Sequence, residues 1–146
     1  MLGELEGARV MDLFAGSGAL GIEALSRGAA AAVFVERNAR AAQVLAENLS
    51  GLGLGGERAE IRRGEAIAAL RRAREREETY DLVLIDPPYR MAAEMRVALA
   101  EIVPPLLSRG ARVATESDRR APLELDLEVE RRRRYGDTCI TIHRQP

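Results

Sequence analysis

The chain of 146 residues has no lysine and no tryptophan, a single cysteine (Cys139), a single histidine (His143), and only two phenylalanines and three tyrosines. One cysteine excludes an internal disulfide, and one cysteine with one histidine argues against a zinc site, which takes a set of such ligands. Both residues sit in an alternating C-terminal segment, where they read as packing residues. No apolar run approaches the ~20 residues needed to span a membrane. The N-terminus, MLGELEGARV, carries acidic residues and no secretory pattern, which leads us to expect a cytoplasmic protein with no membrane partner. The net charge of −1 gives no global basic field, so any polyanion must be met by a local patch. All 22 basic residues are arginine. With the heavy use of Ala and Gly this reads first as compositional habit, although the planar guanidinium fork also suits phosphate.

The length is that of one ordinary domain, 1–146, and nearly half of it is apolar, enough for a real core. Apolar runs alternate with helical patterns. ARVMDLF (8–14) reads as a buried strand and 17–27 as a helix. AAVFVE (31–36) is a second strand, followed by a helix over 39–52. RAEIRR (58–63) is a third strand, with a helix running through Arg76. YDLVLID (80–86) is the clearest strand and stops at two prolines. A helical pattern covers 92–107, bent or ended by Pro104 and Pro105, and GARVATE (110–116) is a fifth strand. This rhythm predicts an α/β fold with a mostly parallel, doubly wound sheet. The tail changes character. LELDLEVE (123–130) and TCITIH (138–143) each alternate, and YGD lies between them, so the sheet should end in an antiparallel hairpin.

DLFAGSGALG (12–21) joins the first strand to its helix. Gly16, Gly18 and Gly21 fit G-x-G-x-x-G, a pattern that lets backbone approach a ligand at the carboxyl end of a strand. The pattern alone does not choose the ligand. A pyrophosphate would be repelled by Asp12, which sits directly before the loop. S-adenosylmethionine instead presents an ammonium group that Asp12 can meet, directly or through water, and a carboxylate for the loop's N–H groups. Phe14 and Ser17 belong to the same loop. Glu36 ends the second strand, where a carboxylate can accept from both ribose hydroxyls, with Arg37 beside it. Glu65 and Ala66 follow the third strand, where Glu65 can hold an adenine amino group. The plainer reading of Glu65 is an acid at a helix N-terminus.

Asp86-Pro87-Pro88-Tyr89 is the second signal. The exocyclic amine of a base is a poor nucleophile because its lone pair is delocalised into the ring. Two acceptors, one for each N–H, turn that pair toward an electrophile, and the Asp86 carboxylate and the Pro87 carbonyl can supply them. Proline fixes the backbone and offers no competing donor. Tyr89 can stack on the base face, with Pro88 and Arg90 on the substrate side. A structured nucleic acid would have to turn the base out of its stack. Nothing in this chemistry requires a metal.

RVMDLFAGSGALGIEALSRGA (9–29), VFVERN (33–38), DLVLIDPPY (81–89) and RYGDT (134–138) together resemble the class I S-adenosylmethionine-dependent methyltransferases, and more closely the bacterial 16S ribosomal RNA guanine-N2 methyltransferase family. The resemblance implies a Rossmann-like methyltransferase fold. The cofactor would be held by the glycine loop and Glu36, with Asp86, Pro87 and Tyr89 on the guanine amino group. The partner would be 16S ribosomal RNA or a 30S assembly intermediate, and the chain a monomer. Family members usually carry an Arg- and Gly-rich segment before the first strand. Here that strand begins within ten residues of Met1, so the resemblance implies a form without it.

Other readings stay open at this point. DPPY is shared with enzymes that methylate adenine amines in DNA or RNA. An NAD-dependent oxidoreductase would use the same glycines, but Asp12 and DPPY count against it. A catalytically silent RNA-binding or assembly factor is the third. For RNA contact, Arg131 to Arg134, expected in a hairpin loop near the sheet edge, could meet phosphates or could simply form a solvated turn that keeps an edge strand from aggregating. Arg90, directly after DPPY, is better placed to meet a substrate phosphate. Arg71, Arg72, Arg74 and Arg76 read as a solvated helix face with their neighbouring glutamates.

Overall fold

A computed structural model describes residues 3–87, 92–118 and 122–146. The elements run β1 (Arg9–Asp12), α1 (Ala19–Ser26), β2 (Ala31–Glu36), α2 (Ala39–Gly51), β3 (Ala59–Arg63), α3 (Ala66–Glu75), β4 (Tyr80–Ile85), α4 (Ala93–Ile102), a 3₁₀ turn (Pro104–Leu106), β5 (Leu107–Asp118), β6 (Glu128–Tyr135) and β7 (Thr138–Arg144). The seven strands form one sheet in the order β3-β2-β1-β4-β5-β7-β6. The first five are parallel, and β7 and β6 are antiparallel to their neighbours. This is the expected doubly wound sheet with a terminal hairpin.

The near-continuous apolar runs of β1, β2 and β4 follow from burial on both faces. One face packs Met11, Leu13, Val33, Val83 and Ile85 against Leu70, Ala73, Leu99 and Ile102 of α3 and α4. The other packs Val10, Phe34, Leu82 and Leu84 against Leu25, Leu45 and Leu49 of α1 and α2. The C-terminal end of α1 is closed from a distance, because the Arg58 guanidinium donates to the carbonyls of Leu25 (3.1 Å) and Ala29 (2.8 Å). A cation there satisfies orphan carbonyls and complements the helix dipole.

Two expectations are corrected here. The alternating segment 123–130 enters the ladder only at Glu128. Leu123 and Leu125 are instead buried on the α3/α4 side of the sheet, and Leu127 N–H turns back to the Leu125 carbonyl. Their alternation reflects leucines dipping into a core rather than pairing. The arginine run is likewise not a loop, because Arg131 to Arg134 lie within β6, the exposed edge strand. Cys139 and His143 are buried as expected. Burial lowers the pKa of His143, and its ring nitrogens find no hydrogen-bond partner among the described residues.

Candidate active site

The chain leaves β1 toward β2 on one side of the sheet, while β4 lies on the other side of β1. Connections therefore diverge at the β1/β4 boundary and open a crevice at the carboxyl ends of these strands, the general location of ligands in such sheets. The loop after β1 is pinned across both neighbours, with Leu13 N–H donating to the Leu84 carbonyl at 2.9 Å and Ala15 N–H to the Val35 carbonyl at 3.0 Å.

Glycine is required in this loop for two separate reasons. Gly18, the N-cap of α1, has φ +92°, and a Cβ there would collide with Leu45. Gly21 has ordinary backbone, but a Cβ would overlap the Phe34 ring, so it allows α1 to lie close on β2. Around Gly16, by contrast, a Cβ would meet nothing within 4 Å. The protein fills the space at Gly18 and Gly21 and leaves it open at Gly16, whose φ of +57° favours glycine on backbone grounds alone.

Gly18 offers no side chain to cap α1, and Asp12 does so from the strand: its Oδ2 accepts the Gly21 N–H at 3.0 Å. At 1% exposure Asp12 acts from beneath the loop. Burial pushes its carboxyl up to about 6; the Gly21 N–H opposes this and the Glu36 charge adds to it. The Glu36 Oε1 accepts from Gly16 N–H and its Oε2 from Asn38 N–H, both at 2.8 Å. A carboxylate has about four lone-pair sites, so acceptor capacity remains for hydroxyls. Ser17 is exposed, and its carbonyl accepts from the Asn48 side chain at 2.9 Å. Phe14 packs partly buried against the core on the face opposite Asp12.

At the tips of β2 and β3, the exposed Arg37 and Glu65 side chains approach to 4.0 Å. Glu65 is the N-cap residue of α3 without a side-chain cap bond, and Ala66 is the buried first residue of that helix.

Asp86 and Pro87 follow β4, both partly exposed. Pro88, Tyr89 and Arg90 lie outside the described residues. The β4/β5 register pairs Leu84 with Ala114 and Ile85 with Thr115, so the next step sets Asp86 beside Glu116. Burial first, then the hydrogen bond and charge of Glu116, and then the charge of Asp12 push the Asp86 carboxyl up to about 7. Asp86 thus feels the strand tips on either side of it. Asp86 and Glu116 line a cavity of about 230 Å³ between α1 and strands β4, β5 and β7, with apolar walls from Leu20, Leu84, Ala114 and Ile142. Sequence reasoning missed Glu116. It is the last residue of GARVATE, a strand-end acid in the sequence reading as Asp12, Glu36 and Asp86 are, although β5 in the structure runs on to Asp118.

These strand-end carboxylates make the crevice acidic. Such a set of acceptors suits a cationic ligand and opposes a pyrophosphate, whose charge would add to the burial that already raises the Asp12 and Asp86 carboxyls. The residues present therefore fit S-adenosylmethionine, which carries an ammonium and a sulfonium.

The sheet order, the glycine loop at the switch point and the acid at the tip of β2 define the Rossmann-like fold of the S-adenosylmethionine-dependent methyltransferases. Residues 1–144 match the model of the family described as conserved hypothetical protein 95. The chain belongs to that family. It is 37% identical over 145 residues to the putative rRNA methyltransferase YlbH of Bacillus subtilis, covering 96% of this chain and 77% of that protein. It is 40% identical over 83 residues to the ribosomal RNA small subunit methyltransferase D of Escherichia coli, which is 57% of this chain and 39% of that protein. The solved structure of the Escherichia coli putative methyltransferase yhhF superposes with a TM-score of 0.81 at 29% identity, over 97% of this chain and 77% of that one.

Proposed function

We propose that this protein transfers a methyl group from S-adenosylmethionine to the exocyclic N2 amine of a guanine in small-subunit ribosomal RNA. The observation that supports this reading best is the Asp86–Glu116 pair, set side by side by the β4/β5 register and lining one cavity, on the strand next to β1 and its glycine loop. The names of the relatives support the choice of ribosomal RNA.

When bound, the cofactor supplies an electrophilic methyl on its sulfonium. Gly16 lets backbone approach the methionine part, and Asp12 adds negative charge from below. Glu36 takes the ribose hydroxyls with its remaining acceptor capacity. Arg37, Glu65 and Ala66 line the way to the base at the tips of β2 and β3, and Phe14 and Ser17 shape the loop between.

On the other side, the Asp86 carboxylate and the Pro87 carbonyl accept the two amine hydrogens and aim the nitrogen lone pair at the methyl. Pro88, Tyr89 and Arg90 are assigned to the substrate side, with Tyr89 stacking on the base. Methylation turns the amine's lone pair into a bond and releases one proton. Asp86, held near neutrality in its affinity for protons, is suited to receive it. Positioning supplies much of the rate, with reacting atoms held at ~3–3.5 Å.

The test offers radiolabelled S-adenosylmethionine with undermethylated 30S subunits, protein-free 16S rRNA and DNA, followed by nucleoside analysis. N2-methylguanine in the ribosomal substrate is the expected product. Methylated adenine would move the assignment to the adenine-amine enzymes. RNA binding without any transfer would make the protein an assembly factor.

A further inference from the structure

The arginine run of β6 is divided by the register of the hairpin. Strand residues alternate between the two faces of a sheet, so a run of consecutive arginines cannot all look the same way. The β6/β7 ladder pairs Val129 with His143 but then Arg131 with Ile142, leaving Glu130 as an extra residue, a bulge. A bulge shifts the alternation by one and re-aims every side chain beyond it. Without it, Glu130 would oppose Ile142 where Arg131 now does, Arg132 would oppose Ile140 where Arg133 now does, and Arg131 and Arg133 would turn to the other face. The bulged Glu130 is itself held at 3.1 Å by Arg144.

Following the pairs across the sheet gives two rungs. One runs Leu84, Ala114, Ile142, Arg131, and the next runs Glu116, Ile140, Arg133, with Asp86 one step beyond Ile85 at its β4 end. Leu84, Asp86, Ala114, Glu116, Ile140 and Ile142 all line the cavity. Arg131 and Arg133 therefore share the cavity's face of the sheet, about 14 Å from β4 at ~4.8 Å per strand. Both are exposed, and neither has an ion pair among the described residues. Arg132 lies on the other face, where it donates to Thr141 Oγ1 at 3.1 Å and is neutralised by Glu124 at 3.0 Å. Arg134 pairs with Cys139 on that same face.

We propose that Arg131 and Arg133, aimed by the Glu130 bulge, bind the phosphates that flank the target nucleotide, and that Arg132 and Arg134 do not. This rests on the reading of the crevice as an RNA-base methyltransferase site. The surface then has three zones in sequence: carboxylates for the amine of the base, an apolar floor of Ala114, Ile140 and Ile142 beneath the nucleotide, and a guanidinium pair at the edge for the backbone. With a net charge of −1 the chain has no global field to draw in a polyanion, so attraction rests on local pairs such as this one.

The test compares wild type, the double variant Arg131→Gln/Arg133→Gln and the single variant Arg134→Gln. Binding to protein-free 16S rRNA and to undermethylated 30S subunits is measured over a salt series, with S-adenosylhomocysteine present. The double variant should bind both substrates more weakly, on the order of tenfold at low salt, and its log K against log salt slope should flatten by about 1.4–1.8 for two lost phosphate contacts. Arg131→Lys/Arg133→Lys should retain most of the slope. Arg134→Gln should match wild type. All four should melt alike, because the substituted side chains are exposed. Equal loss in the single and double variants would overturn the facing argument. Loss on 30S subunits but not on protein-free rRNA would overturn it in favour of a ribosomal-protein contact. Failure of wild type to bind or methylate either substrate would instead remove the underlying reading, and this inference with it.

Discussion

The two sides of the crevice are built differently. On the β1/β2 side each key carboxylate is matched to backbone donors of its own chain: Asp12 to Gly21, and Glu36 to Gly16 and Asn38. On the β4/β5 side Asp86 and Glu116 are set against each other, and their hydrogen bond and like charge favour keeping a proton on Asp86. The first side is self-complementary and shapes the loop before any ligand arrives. The second sets two carboxyl groups together with no backbone N–H donating to either among the described residues, an arrangement that suits an amine. The difference teaches that one half of this crevice is preorganised by folding, while the other is left for the substrate to complete.

That contrast can be broken by substitution. The largest expected effect is on turnover. Asp86→Ala should lower kcat by about 10²–10³-fold, the usual scale for losing one preorganised polar contact to the reacting group. Its affinity for S-adenosylhomocysteine should stay within about twofold of wild type, since an unmatched acceptor on the substrate side is not part of the cofactor cradle. A single-turnover methylation assay beside a binding titration checks both. Next comes cofactor affinity. Glu36→Gln replaces an ionised acceptor and introduces a donor facing the Gly16 or Asn38 N–H. It should weaken S-adenosylhomocysteine by about 10–100-fold, the cost of a hydrogen bond to a charged group.

Stability follows. Gly21→Ala drives a methyl into the Phe34 ring and crowds the Asp12 cap. It should cost about 1–3 kcal/mol in urea unfolding, as overpacking does.

The smallest effect is the dependence of stability on pH. The folded-state pKa of Asp86 lies near 7, above its ordinary value of 3.8, so the folded protein holds a proton that the unfolded chain releases. Wild type should lose stability from this group as pH rises from about 4 to about 7, and no more above that. Asp86→Asn lacks this loss. Its melting temperature should match wild type near pH 4 and exceed it by a few degrees at pH 8. A variant that melts lower than wild type at pH 8 would mean that Asp86 is matched after all, and the contrast between the two sides would fail.

Much of this was legible in the sequence because the signals were local. Buried parallel strands are continuous apolar runs, so β1, β2 and β4 announced themselves, and the residues at their ends fell at the sheet's carboxyl edge by the logic of the fold. What escaped needed a neighbour. Glu116 matters only because β5 lies beside β4 in a register that sets it next to Asp86. The capping of α1 by Asp12 depends on how closely Gly21 allows helix and strand to approach. The bulge at Glu130 is a mismatch between two strands and exists in neither alone. The leucines of 123–127 alternate like a strand, but they dip into a core instead of pairing.

The central claim is that the β1/β2 side binds S-adenosylmethionine while the β4/β5 side awaits a base. Its most direct test is a calorimetric titration of S-adenosylhomocysteine, with NAD as the competitor class, into wild type, Glu36→Gln and Asp86→Asn. The account predicts that wild type and Asp86→Asn bind S-adenosylhomocysteine alike, that Glu36→Gln binds it at least tenfold more weakly, and that none binds NAD. Binding of NAD in place of S-adenosylhomocysteine, or equal weakening by the two substitutions, would contradict it.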